Sequence, residues 1–247
     1  MNPSPRLPHA TLDLQSRSSK ARKIEQLLEL STTGKRLKLL EIGVGSGGIS
    51  HHFSTRPDQY EVHAVDVVDG RRVKEGYEFT LVSDSKLPFA DRSFDIVISN
   101  HVIEHVGDRA RQFRHLKEIS RVLTEDGVGY LAVPNRWMLI EPHYALPFLS
   151  WLPRRFRSSY LALSGRGQVY DCEPLQYHEL HALLERAGLD YRHRELEALQ
   201  VIRTLEPDNR AARLLGLLPG TVVALARPLL PTFICTIGHA THGSSAR

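Results

Sequence analysis

The sequence predicts an α/β fold in which a parallel sheet carries helices on both faces. Between residues 37 and 134, strand-like apolar runs alternate with segments of helical periodicity. A glycine turn follows the first of these runs and leads directly into a helix. Right-handed connections between parallel strands bring the loops after the strands to one edge of the sheet, and ligands bind at that edge.

Each element of this alternation has its own signal. Ile24, Leu27 and Leu28 stand at helical spacing within residues 20–31 and predict a surface helix. The five strand-like runs are, in order, KLLEIGVG, YEVHAVDV, EFTLVSD, FDIVISN and GVGYLAVP. The segment GGISHHFS predicts the start of a helix, and HVIEHVGDRARQFRHLKEISRVL predicts a longer helix that is interrupted at Gly107.

The alternation ends after residue 135, and a different organisation is expected there. Prolines, aromatic residues and arginines crowd residues 136–173, which we interpret as an insertion that caps the edge of the sheet. Residues 175–187 return to helical periodicity and end at Gly188. A sixth strand is expected within residues 191–203, and TFICTIGH is the last predicted strand.

The chain therefore divides into four predicted segments. They are a disordered tail rich in proline, serine and arginine at 1–18, a core at 19–135, the capping insertion at 136–173, and the C-terminal part of the core at 174–247. Within the last segment, residues 240–247 are expected to form a frayed tail.

Composition limits the classes of protein that this chain can represent. Of its 247 residues, 41% are hydrophobic and 24% are charged, as in an ordinary globular protein. Cys172 and Cys235 are too few for a disulfide framework, so we expect a reducing compartment and a cytoplasmic location. The net charge of +4 is mild and no nucleic-acid-binding module is recognisable, so no nucleic-acid partner is expected. The absence of a long apolar run predicts no spanning helix, while peripheral membrane contact stays open.

The glycine turn from Gly43 to Gly48 matches the spacing G-x-G-x-x-G between a strand and a helix. Its glycines let the backbone approach a ligand closely, and the N–H groups at the start of the helix attract an anion. Asp66 ends the second strand, 23 residues after Gly43, and its carboxylate can accept both ribose hydroxyl hydrogens. The turn fits either a nicotinamide dinucleotide or an adenosyl-sulfonium cofactor, and a tight turn with a solvated aspartate is the plainer alternative.

The loop after the third strand offers a place for an adenine ring. The carboxylate of Asp84, next to Ser85, can accept from the exocyclic amine of adenine, and the apolar segment Leu87-Pro88-Phe89 can cover the ring. An Asp-Ser turn without a ligand is the alternative.

Four segments together resemble the successive motifs of class I S-adenosylmethionine-dependent methyltransferases: LLEIGVGSGGIS, VDVVD, SDSKLPFADRSFDIVISNHVIEHV and RVLTEDGVGYLAVPN. The likeness covers residues 37–135 and is greatest to the type 11 group, which includes small-molecule and ubiquinone-pathway methyltransferases. The resemblance implies a Rossmann-like sheet of seven strands whose last strand is antiparallel, and S-adenosylmethionine as the cofactor. The turn of this family does not need Gly48, so the dinucleotide interpretation is weakened.

The resemblance also implies roles for seven residues in cofactor binding. Glu41, Gly43 and Gly45 would line the methionine part, Asp66 would hold the ribose, Asp84 with Ser85 would hold the adenine, and Asn100 would lie near the sulfonium.

The segment from His101 to His105 reads HVIEH and matches the zinc-peptidase pattern H-x-x-E-H. On a helix, the two histidines would share one face and could bind a metal. The segment directly follows the fourth strand, however, and no acidic motif downstream supplies a third ligand, so no metal is expected. We instead expect His101 or His105 to accept a proton from the methyl acceptor. A packed, hydrogen-bonded His105 is the alternative.

The capping insertion is expected to contact the acceptor. Its aromatic residues can exclude water and its arginines can bind carboxylate or phosphate, which favours an anionic small molecule or a lipid-linked acceptor. His143, within the segment EPHY, is a third catalytic candidate. Alternatively, Phe148, Trp151 and Leu152 form a local core and the arginines are merely solvated.

These observations predict an S-adenosylmethionine-dependent methyltransferase that acts on a small-molecule or lipid-linked acceptor. Two alternatives remain open: an NAD(P)-dependent oxidoreductase that uses the same glycine turn, and a non-catalytic protein that binds S-adenosylmethionine.

Overall fold

A seven-stranded sheet runs through the centre of the computed structural model, which describes residues 14–30 and 34–240. The described strands are β1 Leu37–Ile42, β2 Tyr60–Asp66, β3 Glu78–Leu81, β4 Phe94–Asn100, β5 Leu123–Pro134, β6 Ile140–Glu141, β7 Leu146–Pro147, β8 Leu189–His193 and β9 Thr232–His239. The sheet contains all of these strands except β6 and β7, which form a separate antiparallel pair.

The strand order in the sheet is β3-β2-β1-β4-β5-β9-β8. Strands β1 to β5 pair in parallel, and β9 runs antiparallel to both β5 and β8. The predicted α/β class, the seven-stranded Rossmann-like sheet and the antiparallel last strand are therefore confirmed. Strand order reverses at β1 and β4, which opens a crevice at the carboxyl ends of these two strands.

Helices cover both faces of the sheet, as the sequence predicts. In the described part of the chain they are α1 Leu14–Leu28, α2 Gly48–Ser54, α3 Arg109–Val122, α4 Arg154–Leu163, α5 Tyr177–Ala187, α6 Glu195–Leu205, α7 Arg210–Leu215 and α8 Gly220–Ala226. Alternate residues of a strand point to opposite faces, so Leu39 and Leu40 of β1 belong to two different hydrophobic cores. Helices α3 and α5 pack in the core that holds Leu40, whereas α1, α2 and α6 pack in the core that holds Leu39.

Helix α1 corrects the predicted disordered tail of residues 1–18. The helix begins at Leu14, so the prediction is wrong for residues 14–18, and residues 1–13 lie outside the described part of the chain. The fully buried Ile24 anchors α1 in the core beneath α2 and α6. The local sequence at the start of α1 is rich in serine and arginine and gives only a weak helix signal. Packing of the apolar face of α1 on the core therefore stabilises the helix there.

A half-buried ion-pair network links α1 to α2 and to the loop that follows it. Glu25 of α1 contacts His52 and Arg56, and Tyr60 of β2 donates a hydrogen bond to the same carboxylate. Burial opposes the charged form of Glu25, but the hydrogen bonds from His52 and Arg56 outweigh it and lower the pKa of Glu25 to about 2. Helix α1 is therefore held against α2 by charge as well as by apolar packing.

The segment after β4 is not one continuous helix. A 3-10 turn covers Ile103–His105, and α3 begins at Arg109 after Gly107, whose φ is 117°. Asp108 caps α3, because its side chain accepts a hydrogen bond from the backbone N–H of Arg111 at 3.0 Å. The predicted interruption at Gly107 is confirmed, but the expectation that both histidines of the HVIEH segment share one helix face is wrong.

The sixth strand of the sheet is shorter and earlier than expected within residues 191–203. Strand β8 ends at His193, and α6 occupies most of the remaining range. Glu195 and Glu197 stand in the first turn of α6, where carboxylates stabilise the N-terminus of a helix. The frayed tail expected at 240–247 lies outside the described residues from position 241 onward.

The capping insertion contains β6, β7, a 3-10 turn at Leu149–Trp151 and α4. Its small core consists of Leu146, Leu149 and Leu161. Phe148 and Trp151 are 50% and 39% exposed, so the alternative local core built on these aromatic residues is wrong.

Three arginines of the cap bind other parts of the cap. Arg157 is buried and donates to the carbonyl oxygens of Ser150 and Leu152, Arg166 donates to the carbonyl oxygens of Tyr144 and Ala145, and Arg154 pairs with Glu173. These side chains hold the insertion together. Among the described helices of the whole chain, none combines the length and the apolar character that crossing a bilayer requires.

Candidate active site

A cavity of about 1160 Å³ opens at the carboxyl ends of β1, β2 and β4. Pockets for a single small ligand measure about 300–1,000 Å³, so this cavity has room for a cofactor and a second small molecule. Six residues with predicted cofactor roles line it, together with the three candidate histidines: Gly43, Gly45, Asp66, Asp84, Ser85, Asn100, His101, His105 and His143.

The glycine turn needs glycine for two separate reasons. Gly43 has φ 78°, and a Cβ atom there would overlap the side chain of Val102. Gly45 has φ 53°, in the left-handed region that side chains rarely adopt. Gly47 has φ 86°, and a Cβ atom there would overlap the carbonyl of Val73. The sequence interpretation did not single out Gly47, although its position just before α2 was a signal for it.

Asp66 ties the end of β2 to the glycine turn. Its Oδ2 accepts a hydrogen bond from the backbone N–H of Gly45 at 3.0 Å, and its Oδ1 accepts from the N–H of Val67 at 2.7 Å. The carboxylate is therefore fixed in the cavity wall between β1 and β2.

Glu41, in contrast, is absent from the lining of this cavity. Its buried carboxylate accepts hydrogen bonds from the backbone N–H and from the hydroxyl of Ser50 in α2. Burial outweighs these bonds and raises the pKa of Glu41 to about 8. Glu41 thus holds the start of α2 behind the turn, and its predicted contact with the methionine part of the cofactor stays a prediction.

The loop that carries Asp84 and Ser85 is held against α3. The Oδ1 of Asp84 accepts from the backbone N–H of Lys86 at 2.8 Å, which is the Asx turn considered from the sequence. The backbone N–H of Leu87 donates to Glu118 of α3 at 2.8 Å. Leu87 is buried and lines the cavity, as an apolar cover for a ring requires.

His101 follows β4 in a strained backbone conformation. Its φ is 57°, and its N–H donates to the carbonyl of Ala132 at 3.0 Å. Its Nδ1 lies 3.5 Å from the Oε1 of Glu104, a fully buried carboxylate. Backbone strain in a non-glycine residue next to Asn100 is typical of functional sites.

A second group of polar side chains forms where the cap meets the 3-10 turn. The rings of His105 and His143 lie 5.1 Å apart, and the Sγ of Cys172 lies 3.7 Å from the Nδ1 of His105 and 3.9 Å from the Nδ1 of His143. His143 Nδ1 lies 2.6 Å from the Oε1 of Glu141. The structure thus brings two of the predicted catalytic histidines together with a cysteine that the sequence did not connect to them.

Electrostatics in this group follow from burial and from the acidic neighbours. Burial lowers the pKa of His143, but the hydrogen bond to Glu141 and the surrounding carboxylates outweigh it, so the pKa lies above its usual value. Burial and the charges of Asp171 and Glu141 raise the pKa of the Cys172 thiol. Without a further partner, the cysteine therefore stays protonated at neutral pH.

His115 of α3 also lines the cavity and was missed from the sequence. It is buried, and its Nε2 lies 3.0 Å from the hydroxyl of Ser99 in β4. Burial lowers the pKa of His115 to about 4, so the ring is neutral at physiological pH.

Six basic side chains line the cavity, and we call them the basic rim: Arg17, Lys20, Lys86, Arg111, Arg114 and Lys117. None of them belongs to the cap, where the sequence interpretation placed the anion-binding arginines. Burial is the main cause that lowers the pKa of Lys20 to about 8, and the neighbouring positive charges of Arg17 and Lys23 on α1 lower it further. Four acidic residues share the wall, Asp66, Asp84, Glu118 and Asp171, so basic side chains outnumber acidic ones there by two.

Comparison with known proteins agrees with this geometry. A family model described as a methyltransferase domain matches residues 40–131. The chain is 32% identical over 109 residues to an uncharacterized methyltransferase of Mycolicibacterium gilvum, an alignment that covers 41% of this chain and 40% of that protein. It is 27% identical over 141 residues to a demethylmenaquinone methyltransferase of Thermotoga maritima, which covers 53% of this chain and 58% of the relative. The chain therefore spans less than two thirds of either relative.

Among solved structures, the PH0226 protein of Pyrococcus horikoshii superimposes with a TM-score of 0.57 at 17% identity. The match covers 94% of this chain and 95% of that structure. At such low identity the similarity concerns the fold alone.

Fold and cavity together define an α/β domain that binds a nucleoside-containing cofactor at the carboxyl edge of its sheet. The methyltransferase-domain match over residues 40–131 and the methyltransferase relatives support a class I S-adenosylmethionine-dependent methyltransferase. S-adenosylmethionine is accordingly the implied cofactor.

Proposed function

We propose that this chain transfers the methyl group of S-adenosylmethionine to an anionic small-molecule or lipid-linked acceptor. The observation that carries the proposal is a single cavity whose wall combines the glycine turn and Asp66 with three histidines and the basic rim. Its volume allows the cofactor and the acceptor to be bound side by side.

Asp66 retains the capacity to bind a ribose. A carboxylate oxygen can accept two hydrogen bonds, and Oδ2 accepts one from Gly45 while Oδ1 accepts its main one from Val67. Acceptor sites therefore remain for the hydroxyl groups of the nucleoside. Asp84, whose Oδ1 already accepts from Lys86, retains its second oxygen for the adenine amine.

When bound, S-adenosylmethionine supplies a methyl group that is already activated by positive sulfur. The main task of the chain is therefore alignment of the acceptor with that group. Such positioning contributes roughly 7–11 kcal/mol to lowering a reaction barrier. Asn100 ends β4, His101 follows it, and both line the cavity, so we assign to them the place where the two ligands meet.

His101 is the residue that we assign to proton removal from the acceptor. The buried carboxylate of Glu104 lies 3.5 Å from its Nδ1 and would stabilise the imidazolium that forms. A positioned general base accelerates such a step by about 10²- to 10⁴-fold. His105 and His143 then flank the acceptor from the side of the cap.

Charge in the cavity wall selects the acceptor. Arg111, Arg114 and Lys117 are exposed on one face of α3 and point along the cavity, with Lys86 on the neighbouring loop. A cluster of like charges at a cleft attracts an oppositely charged ligand and speeds its encounter. The acceptor class therefore rests on α3, since Arg154, Arg157 and Arg166 bind partners within the cap.

Calorimetry on purified protein tests the cofactor. We expect S-adenosylhomocysteine, the demethylated product, to bind with measurable heat, and NADH to give none. Heat from NADH alone would favour the oxidoreductase alternative.

A panel of matched acceptors, each prepared with and without a carboxylate or phosphate group, tests the reaction. We expect methyl transfer to the charged members only. Transfer to the neutral members alone would contradict the assignment of an anionic acceptor. Binding of S-adenosylhomocysteine without transfer to any member would favour the non-catalytic alternative.

Replacing His101 and His105 together with Gln tests the role of the histidines and should lower turnover. Full turnover in this variant would remove both histidines from the mechanism.

A further inference from the structure

Two groups of histidine, cysteine and carboxylate side chains in the described part of the chain are compact enough to hold a metal ion. One consists of His105, His143 and Cys172, and the other of His193, Glu195 and Cys235. They differ in their position relative to the cavity.

In the group around Glu195, the carboxylate oxygens already have hydrogen-bond partners within the protein. Glu195 Oε1 bonds His193 and accepts from the backbone N–H of Ile234, while its Oε2 accepts from Arg227. His193 in turn bonds His181 at 2.9 Å. Such a satisfied network supports packing between α6 and β9, and it is not part of the cavity wall.

The group around Cys172 has the dimensions of a zinc site. One ligand atom of each of its three side chains lies within 4.8 Å of the others. With Zn–S near 2.3 Å and Zn–N near 2.0–2.1 Å, a tetrahedral site separates sulfur and nitrogen by about 3.6 Å. The Sγ of Cys172 and the Nδ1 of His105 are 3.7 Å apart, so an ion fits between them with little movement.

Buried carboxylates stand behind both imidazoles. Glu141 accepts a hydrogen bond from Nδ1 of His143 at 2.6 Å, which leaves Nε2 of that ring for the ion, and Oε1 of Glu104 lies 3.9 Å from Nε2 of His105, which leaves Nδ1 of that ring. A carboxylate next to the second ring nitrogen commonly orients a metal-bound histidine. Both oxygens of Glu104 are fully buried and have no hydrogen-bond partner within the described residues. His101 and His105 lie 3.5 and 3.9 Å from its Oε1, and a cation bound at His105 would further offset the cost of burying this charge.

The group also has an inner and an outer side. Cys172 is buried at 2% exposure, whereas His105 and His143 line the cavity. Three protein ligands with an open position toward a cavity are the arrangement of catalytic zinc sites, and closed structural sites use four.

We propose that His105, His143 and Cys172 bind a thiophilic divalent cation of the zinc class, with its open position toward the cavity. Binding forms a metal–sulfur bond while the thiol proton of Cys172 leaves to solvent. If the proposed methyl transfer is correct, on which this part of the inference rests, the open position would take the oxygen, nitrogen or sulfur atom of the acceptor.

Cobalt titration of the chelator-treated, full-length protein tests the site. We expect one Co²⁺ per chain and a thiolate-to-cobalt charge-transfer band in the near ultraviolet. Cys172→Ser should abolish the band, whereas Cys235→Ser, which alters the other buried cysteine, should leave it unchanged. His143→Gln should weaken Co²⁺ binding by at least about tenfold. Absence of the band in folded wild-type protein, or its loss in Cys235→Ser but not in Cys172→Ser, would overturn the proposal.

Two further measurements keep the outcomes separate. Circular dichroism and thermal unfolding establish that each variant is folded, and His105→Gln replaces Cys172→Ser if the latter does not fold. Calorimetry with S-adenosylhomocysteine on the same samples reports on the proposed function. Cofactor heat without a cobalt band rejects the metal site alone, and a cobalt band without cofactor heat rejects the methyltransferase proposal alone.

Discussion

The Oδ2 of Asp66 accepts a hydrogen bond from the backbone N–H of Gly45 at 3.0 Å, across 21 residues of chain. This bond joins the end of β2 to the turn after β1, so the two parts of the cofactor site are set by one carboxylate. A change at Asp66 therefore affects the ribose contact and the shape of the turn together.

Replacing Asp66 with Ala should weaken S-adenosylhomocysteine binding by about 10- to 100-fold, because hydrogen bonds to a charged group contribute about 1.5–3 kcal/mol. Asp66→Asn, which keeps one carbonyl oxygen for the backbone, should fall between wild type and Asp66→Ala. Asp69→Ala is the control, since Asp69 pairs with Arg71 and is outside the cavity wall. Calorimetry measures all three, and equal affinity in wild type and Asp66→Ala would contradict the assigned role.

Substitution at Gly43 separates backbone strain from steric overlap. Gly165→Ala introduces a side chain at φ 70° with no atom within 4 Å of its Cβ, so it should cost only the left-handed penalty of about 1–2 kcal/mol. Gly43→Ala, at φ 78°, adds overlap with Val102 and should cost about 1–3 kcal/mol more. Urea denaturation gives both values. Equal destabilisation by the two variants would show that Val102 yields without cost.

Much of the fold follows from the sequence because its signals are local. The alternation of apolar strands and amphipathic helices predicts the sheet, and the turn at Gly43 together with Asp66 predicts its ligand edge. The arginine- and lysine-bearing face of α3 was also readable, since Arg111, Arg114 and Lys117 stand three residues apart. That spacing places them on one side of a helix.

The remainder of the site depends on contacts that no local pattern encodes. Cys172 meets His105 across 67 residues of chain and His143 across 29, and only the folded cap brings them together. Glu41 stands at the motif position of a cofactor contact, yet its side chain turns to Ser50 behind the strand. Side-chain direction at a strand end depends on packing with the neighbouring helix, which spacing does not reveal.

Reversing two charges of the basic rim should affect the acceptor and spare the cofactor. In the variant Arg114→Glu with Lys117→Glu, we expect the KM for the anionic acceptor found in the panel to rise about 5- to 30-fold, for a loss of about 1–2 kcal/mol. Affinity for S-adenosylhomocysteine should stay unchanged. The variant Lys35→Glu with Arg92→Glu carries the same change in net charge outside the cavity wall. A similar rise of KM in this control would show a long-range effect of net charge rather than local recognition.

The buried Glu41 should make folding stability depend on pH near neutrality. An acid whose pKa rises on folding contributes stability that is complete below its unfolded pKa of 4.5 and is lost as the pH rises to its folded pKa of about 8. The lost contribution is on the order of 5 kcal/mol. Glu41→Gln mimics the protonated form, so it should be more stable than wild type at about pH 9, and the difference should shrink toward about pH 5.

Urea denaturation across this pH range measures the difference between Glu41→Gln and wild type. Glu25→Gln is the matched control, because the pKa of Glu25 falls on folding to about 2. Its contribution is present above its usual value of 4.5 and is lost only as the pH falls toward 2, so the difference between Glu25→Gln and wild type should be constant near neutrality. A constant difference for Glu41→Gln as well would mean that Glu41 is already ionised in the folded protein.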